Sequence, residues 1–208
     1  TLMRSFLIIV LAGYIHLSHA EPLNLASLKQ TLKHYHDSGL YEQEVASVAA
    51  QASDYIKKRV QANENTPNPQ KLAIVLDVDE TSLSTYQQII QDDFAHNIAH
   101  TRQHLLAAVD PAMHPILRLY HTALKQGIKF FFVTGRPHAL CPATKKNLRL
   151  AGYTHWTALY CRPNTYHATS IVPFKMAARK AISEKGYLII ASIGDQHSDV
   201  SGLYTGRG

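Results

Sequence analysis

Three runs of this chain, LAIVL (72–76), IKFFFVT (128–134) and YLIIASI (187–193), are apolar almost throughout. They lack the in-and-out alternation of a strand with one wet face, so they read as strands covered on both sides. Helical patterns separate them. Residues 112–126 end at Gly127, 143–151 at Gly152 and 173–185, opened by Pro173, at Gly186, and a fourth strand fits 157–161. Strand and helix in alternation predict an α/β fold, a Rossmann-like parallel sheet with helices on both faces.

Two further helices precede the sheet. Leu25, Leu28, Leu32 and Tyr35 recur at helical spacing up to Gly39, and Val45, Val48, Ala52, Tyr55, Ile56 and Val60 do so over 40–62. NENTPNPQ (63–70) has the composition of a linker. At 208 residues, 46% hydrophobic and 17% charged, the chain suits one globular domain. Its formal charge of +6 favours anionic partners and says nothing about fold.

The polar residues that carry chemistry gather just past the strand ends. Asp77 and Asp79 follow the first strand, Thr134-Gly135-Arg136 the second, and Asp195 and Asp199 the last. Open parallel sheets bind ligands at that edge. Side chains alternate along an extended segment, so Asp77 and Asp79 point one way and Val78 turns inward. Two carboxylates at the rim of an apolar core need pairing or a metal, and paired oxygen ligands suit Mg2+. With Lys175 near the start of a covering helix, the set supplies nucleophile, acid, phosphate clamp and metal ligands for phosphoryl transfer. Which aspartate attacks is left open by the residues alone.

DVDET after one strand, FVTGRP in the next, Lys175 and the closing GDQHSD together resemble the four motifs of the haloacid dehalogenase superfamily. Within it the chain is similar to exported class B acid phosphatases related to plant acid phosphatases and vegetative storage proteins. The likeness runs from about Leu28 through HYHDSGLYEQEV to GDQHSDVSGLYTGRG. It implies that Asp77 is the nucleophile and that Asp79 protonates the leaving group and later activates water. Thr134, Gly135 and Lys175 would bind phosphate. Asp77, the Asp79 carbonyl and Asp195 would hold Mg2+, with Asp199 supporting, and Arg136 would touch substrate or brace its loop. Residues 82–111 occupy the place of the superfamily's cap, where Tyr86 and Phe94 are candidates to stack on an aromatic leaving group. Relatives often carry Trp where His197 stands, and they continue further past the last motif.

The resulting expectation is an exported acid phosphatase of small phosphomonoesters, Mg2+-dependent, working through an aspartyl phosphate. A storage or phosphate-binding protein on the same fold is the alternative, and Asp77 counts against it. A response-regulator receiver does not suit an exported chain with a second, acid-placed Asp. No basic patch interleaved with aromatics points to nucleic acid. Arg4, the apolar stretch Phe6 to Leu17 and Ser18-His19-Ala20 form a signal-peptide pattern over 1–20, leaving 21–208 as the phosphatase domain with no stable membrane anchor. Export favours a Cys141–Cys161 disulfide. His96, His100 and His104 stand at i, i+4, i+8, a spacing that suits either a shared metal or a solvated face. Nothing in the sequence indicates an oligomeric state.

Overall fold

The computed structural model describes residues 24–202, so the signal-peptide pattern over 1–20 lies outside the described residues. Helices α1 (Leu25–Asp37) and α2 (Leu40–Glu64) lead into strand β1 (Lys71–Leu76). A cap of two short helices, α3 (Tyr86–Gln91) and α4 (Ile98–Ala107), follows, then α5 (His114–Lys125) and β2 (Lys129–Pro137). The rest alternates: α6 (Cys141–Leu150), β3 (Ala158–Arg162), α7 (Val172–Glu184), β4 (Tyr187–Ile193) and the single turn α8 (His197–Val200).

The four strands form one parallel sheet in the order β3-β2-β1-β4. Solid apolar strands are what this arrangement requires, because each strand faces helices on both sides. Ala73, Val75, Phe131 and Val133 pack against Ala178 and Ile182 of α7. Leu72, Ile74, Leu76, Phe130 and Phe132 turn the other way, onto Ile56 and Val60 of α2, Ile116, Leu119 and Tyr120 of α5, and Leu148 of α6. Each such large side chain contributes about 1.5–3 kcal/mol by leaving water. No helix among the described residues is long and apolar enough to cross a membrane.

Most sequence boundaries hold to within a residue or two, and three details differ. The regular histidine spacing over 96–104 does not lie on one helix, because Asp93 and Phe94 adopt positive φ (50° and 61°) and Asn97 caps α4 anew through Ala99 and His100. The linker is tied at its ends, since Asn63 donates to the Gln70 carbonyl and accepts from its amide. Finally, α1 forms with no buried residue, so its leucine stripe stays exposed.

Candidate active site

Every motif residue sits at the carboxyl edge of the sheet. Asp77 is the first residue beyond β1, and its amide continues the ladder by donating to the Ile193 carbonyl at 2.9 Å. The chain then turns sharply: Ser82 Oγ donates to the Asp77 carbonyl at 2.6 Å, and Ser82 and Leu83 amides both donate to Val78. Glu80 takes the left-handed conformation there, and its carboxylate accepts from the Thr85 amide and hydroxyl and from Tyr41. Val78 is fully buried, as alternation predicts.

Asp77 is 5% exposed and is held by Lys175 Nζ, 3.0 Å from its Oδ1. The same ammonium donates to Asp199 Oδ1 at 2.5 Å. Burial pushes the Asp77 carboxyl up to about 7; Lys175 works against that rise, and the nearby Asp199 and Asp79 charges add to it. Burial would also drag the Lys175 ammonium down, but Asp77 and Asp199 reverse this, and the net shift is upward.

Asp199 is fixed on three sides. Its Oδ2 accepts from the Gln196 amide in a capping box, its carbonyl accepts from Ser192 Oγ at 2.7 Å, and Arg179 Nη1 donates to that carbonyl at 3.0 Å. Gly194 is demanded by the same packing, since a Cβ there would lie 2.2 Å from Asp199 Cγ. Arg179 is buried and also donates to the Ser198 and Ser201 carbonyls, which makes it the anchor of α8. Sequence reading missed Arg179, although it follows Lys175 at i+4 on the same helix face.

Oxygens of Asp77, Asp195 and Asp199 lie within 4.8 Å of one another, a hard donor set that fits a divalent cation. The three differ in their partners, Asp77 and Asp199 sharing the Lys175 ammonium. Asp199 also serves the α8 cap, whereas among the described residues the Asp195 side chain is bonded by the neighbouring Gln196 amide group at 2.8 Å. Burial raises the Asp195 carboxyl as well. The Asp79 carboxylate is not part of the cluster.

Asp79 is instead gripped by Arg136. Nε donates to Oδ1 (3.0 Å) and Oδ2 (3.2 Å), and Nη2 donates to Oδ1 (2.7 Å). A local irregularity puts the guanidinium there. β2 and β3 pair at Thr134↔Cys161 and resume at Pro137↔Arg162, so Gly135 and Arg136 form a two-residue bulge that re-aims the side chain. Arg162 holds the bulge by donating to the Gly135 carbonyl at 3.0 Å. Thr134 Oγ1 accepts from the Arg136 amide, which leaves its own proton for a ligand. The Arg136 side chain thus ties the loop after β1 to the bulge of β2, and it also lines the cavity beside Asp79.

A cavity of about 480 Å³ opens beside Asp79, Gly135 and Arg136, roofed by Ile89, Phe94 and His96. Phe94 therefore lines this cavity, whereas Tyr86 does not. Tyr86 stacks on His36 with centroids 3.3 Å apart and donates to Asp37 at 2.7 Å, joining the cap to α1. The histidine row is not gathered into one ligand set among the described residues: His96 precedes α4, His100 pairs with Asp92 at 3.1 Å, and His104 pairs with Asp110. The break at Asn97 takes His96 out of the helical register that His100 and His104 keep within α4. Cys141 and Cys161 form the expected disulfide, tying the start of α6 to β3 across the bulge.

Comparison with known proteins accords with this geometry. Residues 18–207 match the family described as HAD superfamily, subfamily IIIB (Acid phosphatase). Acid phosphatase 1 of Solanum lycopersicum is 29% identical over 170 residues, 78% of this chain and 63% of the tomato protein. The stem 28 kDa glycoprotein of Glycine max is 35% identical over 47% of this chain and 39% of its own length. The chain thus spans less than two thirds of these relatives. Among solved structures, the class C acid phosphatase from Bacillus anthracis shares the fold, with a TM-score of 0.67 at 18% identity over 86% of this chain and 72% of that one.

Proposed function

Because the chain belongs to subfamily IIIB of the haloacid dehalogenase superfamily, the acid phosphatase subfamily, we propose that it hydrolyses small phosphomonoesters through a phosphorylated Asp77. The observation that carries the proposal is the buried Asp77–Lys175–Asp199 chain, with Asp195 beside it and Asp79 across a cavity. A carboxylate kept this dry beside one ammonium is a nucleophile awaiting a compensating cation, not a structural ion pair.

Lys175 orients Asp77 through Oδ1, and the carboxylate attacks phosphorus. Thr134 donates its hydroxyl to a phosphate oxygen. As the ester P–O bond breaks, Asp79 passes a proton to the departing oxygen and an alcohol leaves. Oδ2 is suited to carry that proton, because it receives only the longer share of one Arg136 N–H. Asp79 then takes a proton from water, which attacks the same phosphorus, and inorganic phosphate and the Asp77 carboxylate are released. Asp77, Asp195 and the Asp79 carbonyl would hold Mg2+, which would supply charge neutralisation and keep Asp77 ionised in acid. Export is the location we propose, supported by the pattern of residues 1–20 and by a disulfide that suits an oxidising compartment. Storage, the role named for vegetative storage protein 1 of Arabidopsis thaliana, would need none of this buried charge.

The test is hydrolysis of an aryl phosphate with and without chelator. Turnover should vanish on exhaustive chelation and return with Mg2+. Full activity in the chelated, dialysed protein would sink the mechanism.

A further inference from the structure

We propose that Asp110 and His104, neither in contact with the phosphate site, are positioning residues that set the proton-transfer carboxylate Asp79 by holding Arg136. The proposal rests on the reading of Asp79 as acid and base. Asp110 is 4% exposed at the end of the cap insertion, where a lone buried carboxylate demands partners. Its Oδ2 accepts from Arg136 Nη2 at 3.2 Å, and its Oδ1 faces His104 Nε2. Asn147 of α6 clamps its backbone on both sides, accepting from its amide at 3.2 Å and donating to its carbonyl at 2.7 Å. Thr144 lies 3.4 Å from Arg136 Nη1.

The two carboxylates on Arg136 differ in freedom. The Asp110 side chain is 2% exposed, whereas that of Asp79 is 39% exposed and open to the cavity. Asp110 is the fixed partner and Asp79 the movable one. That asymmetry matters in a catalytic cycle. Asp79 alternates between proton donor and acceptor, and each time it neutralises or swings toward the leaving group it releases Arg136. A buried guanidinium abandoned by its only carboxylate would be strongly destabilised. With Asp110 in place the cation stays compensated, so Asp79 is free to let go and returns to one defined position. His104, which belongs to α4, satisfies the outer oxygen of Asp110 and thereby links the cap to the acid.

Rapid-mix kinetics on an alkyl and a nitrophenyl phosphate test this. Asp110→Asn, which keeps volume and an acceptor, should slow phosphorylation by the alkyl ester about tenfold while changing the nitrophenyl ester less than about twofold. A nitrophenolate needs little protonation, so a merely structural defect would slow both alike. In an Arg136→Met background, Asp110→Asn should add less than about twofold. His104→Leu should reproduce the Asp110→Asn pattern more weakly, and His104→Gln, whose amide restores a donor, should recover it. Should Asp110→Asn not fold, the His104 pair measured with and without Arg136→Met decides the matter. Equal loss on both esters, or the same loss with and without Arg136, overturns the proposal. Asp79→Asn run in parallel separates the two readings: equal loss on both esters there removes Asp79 as acid, while the coupling of Asp110 to Arg136 still decides whether Asp110 positions.

Discussion

Asp77→Asn should abolish turnover and yet, in chelator, shift the stability difference from the wild type in the variant's favour as pH rises. Burial lifts the Asp77 carboxyl from 3.8 to about 7, a rise of about three pH units. At about 1.36 kcal/mol per unit, ionising Asp77 costs the metal-free fold about 4 kcal/mol. The sign follows from proton counts. Between about pH 4 and 7 the folded protein keeps a proton that the unfolded chain has released, so stability falls as pH rises through this window. The loss begins near the unfolded value of 3.8 and levels off above about 7. Asparagine does not ionise, and Lys175 keeps Asp199 as its partner. Asp195 is common to both proteins.

The stability gap, variant minus wild type, should therefore widen by about 1.4 kcal/mol per pH unit between about pH 4 and 7, then stay flat. Urea denaturation in EDTA at half-unit steps from pH 4.5 to 8 measures it. Mg2+ added at pH 8 should raise the wild-type midpoint and narrow the gap, because a cation that binds the folded carboxylate stabilises it by mass action. A gap that does not vary across this pH range would refute the burial argument, whatever the activity of the variant.

Asp79→Asn should slow the first step on an alkyl phosphate on the order of 10²–10⁴-fold and spare a nitrophenyl ester, giving a nitrophenol burst followed by slow turnover; equal first-step losses on both esters would remove Asp79 as the acid. Gly194→Ala should push Asp199 from Lys175, because the new methyl would sit 2.2 Å from its Cγ. It should cost about 1–3 kcal/mol in stability together with most of kcat, and a normal kcat would show that Asp199 does not set Lys175. Removing the disulfide with Cys141→Ser and Cys161→Ser opens a loop with a sequence separation of 20. The urea midpoint should fall by an amount equivalent to about 3 kcal/mol, and an unchanged midpoint would deny the bridge a structural role.

The parts legible in the sequence are those whose position follows from main-chain regularity. A strand covered on both faces announces itself as an apolar run, and the residue just past it must lie at the carboxyl edge. Asp77, Thr134 and Asp195 were therefore placed by their distance from LAIVL, KFFFV and LIIASI. Lys175 was placed by the first turn of its helix. Even the turn after Asp79 was readable, since Ser82 bonds the backbone as its type suggests.

What stayed hidden depends on side-chain reach and on pairing between strands distant in sequence. Nothing in FVTGRP shows that β2 carries two residues more than β3 before pairing resumes, yet that bulge converts Arg136 from a loop residue into the clamp on Asp79. Asp110 is a single acid in VDPA with no period to mark it, and its value comes from Asn147, 37 residues away, and Arg136, 26 residues away. The histidine row is the opposite case. Its spacing was regular, but Asp93 and Phe94 at positive φ end one helix before Asn97 starts the next. Asp77 displays the same division of labour between local and distant causes. Its place past β1 is a local fact of sequence, whereas its carboxyl is raised by burial in the assembled fold, against the opposing pull of Lys175 from 98 residues away. A motif can thus mark a candidate nucleophile, but the assembled fold decides how much cationic compensation its carboxylate needs, and here Asp77 has one ammonium, shared with Asp199.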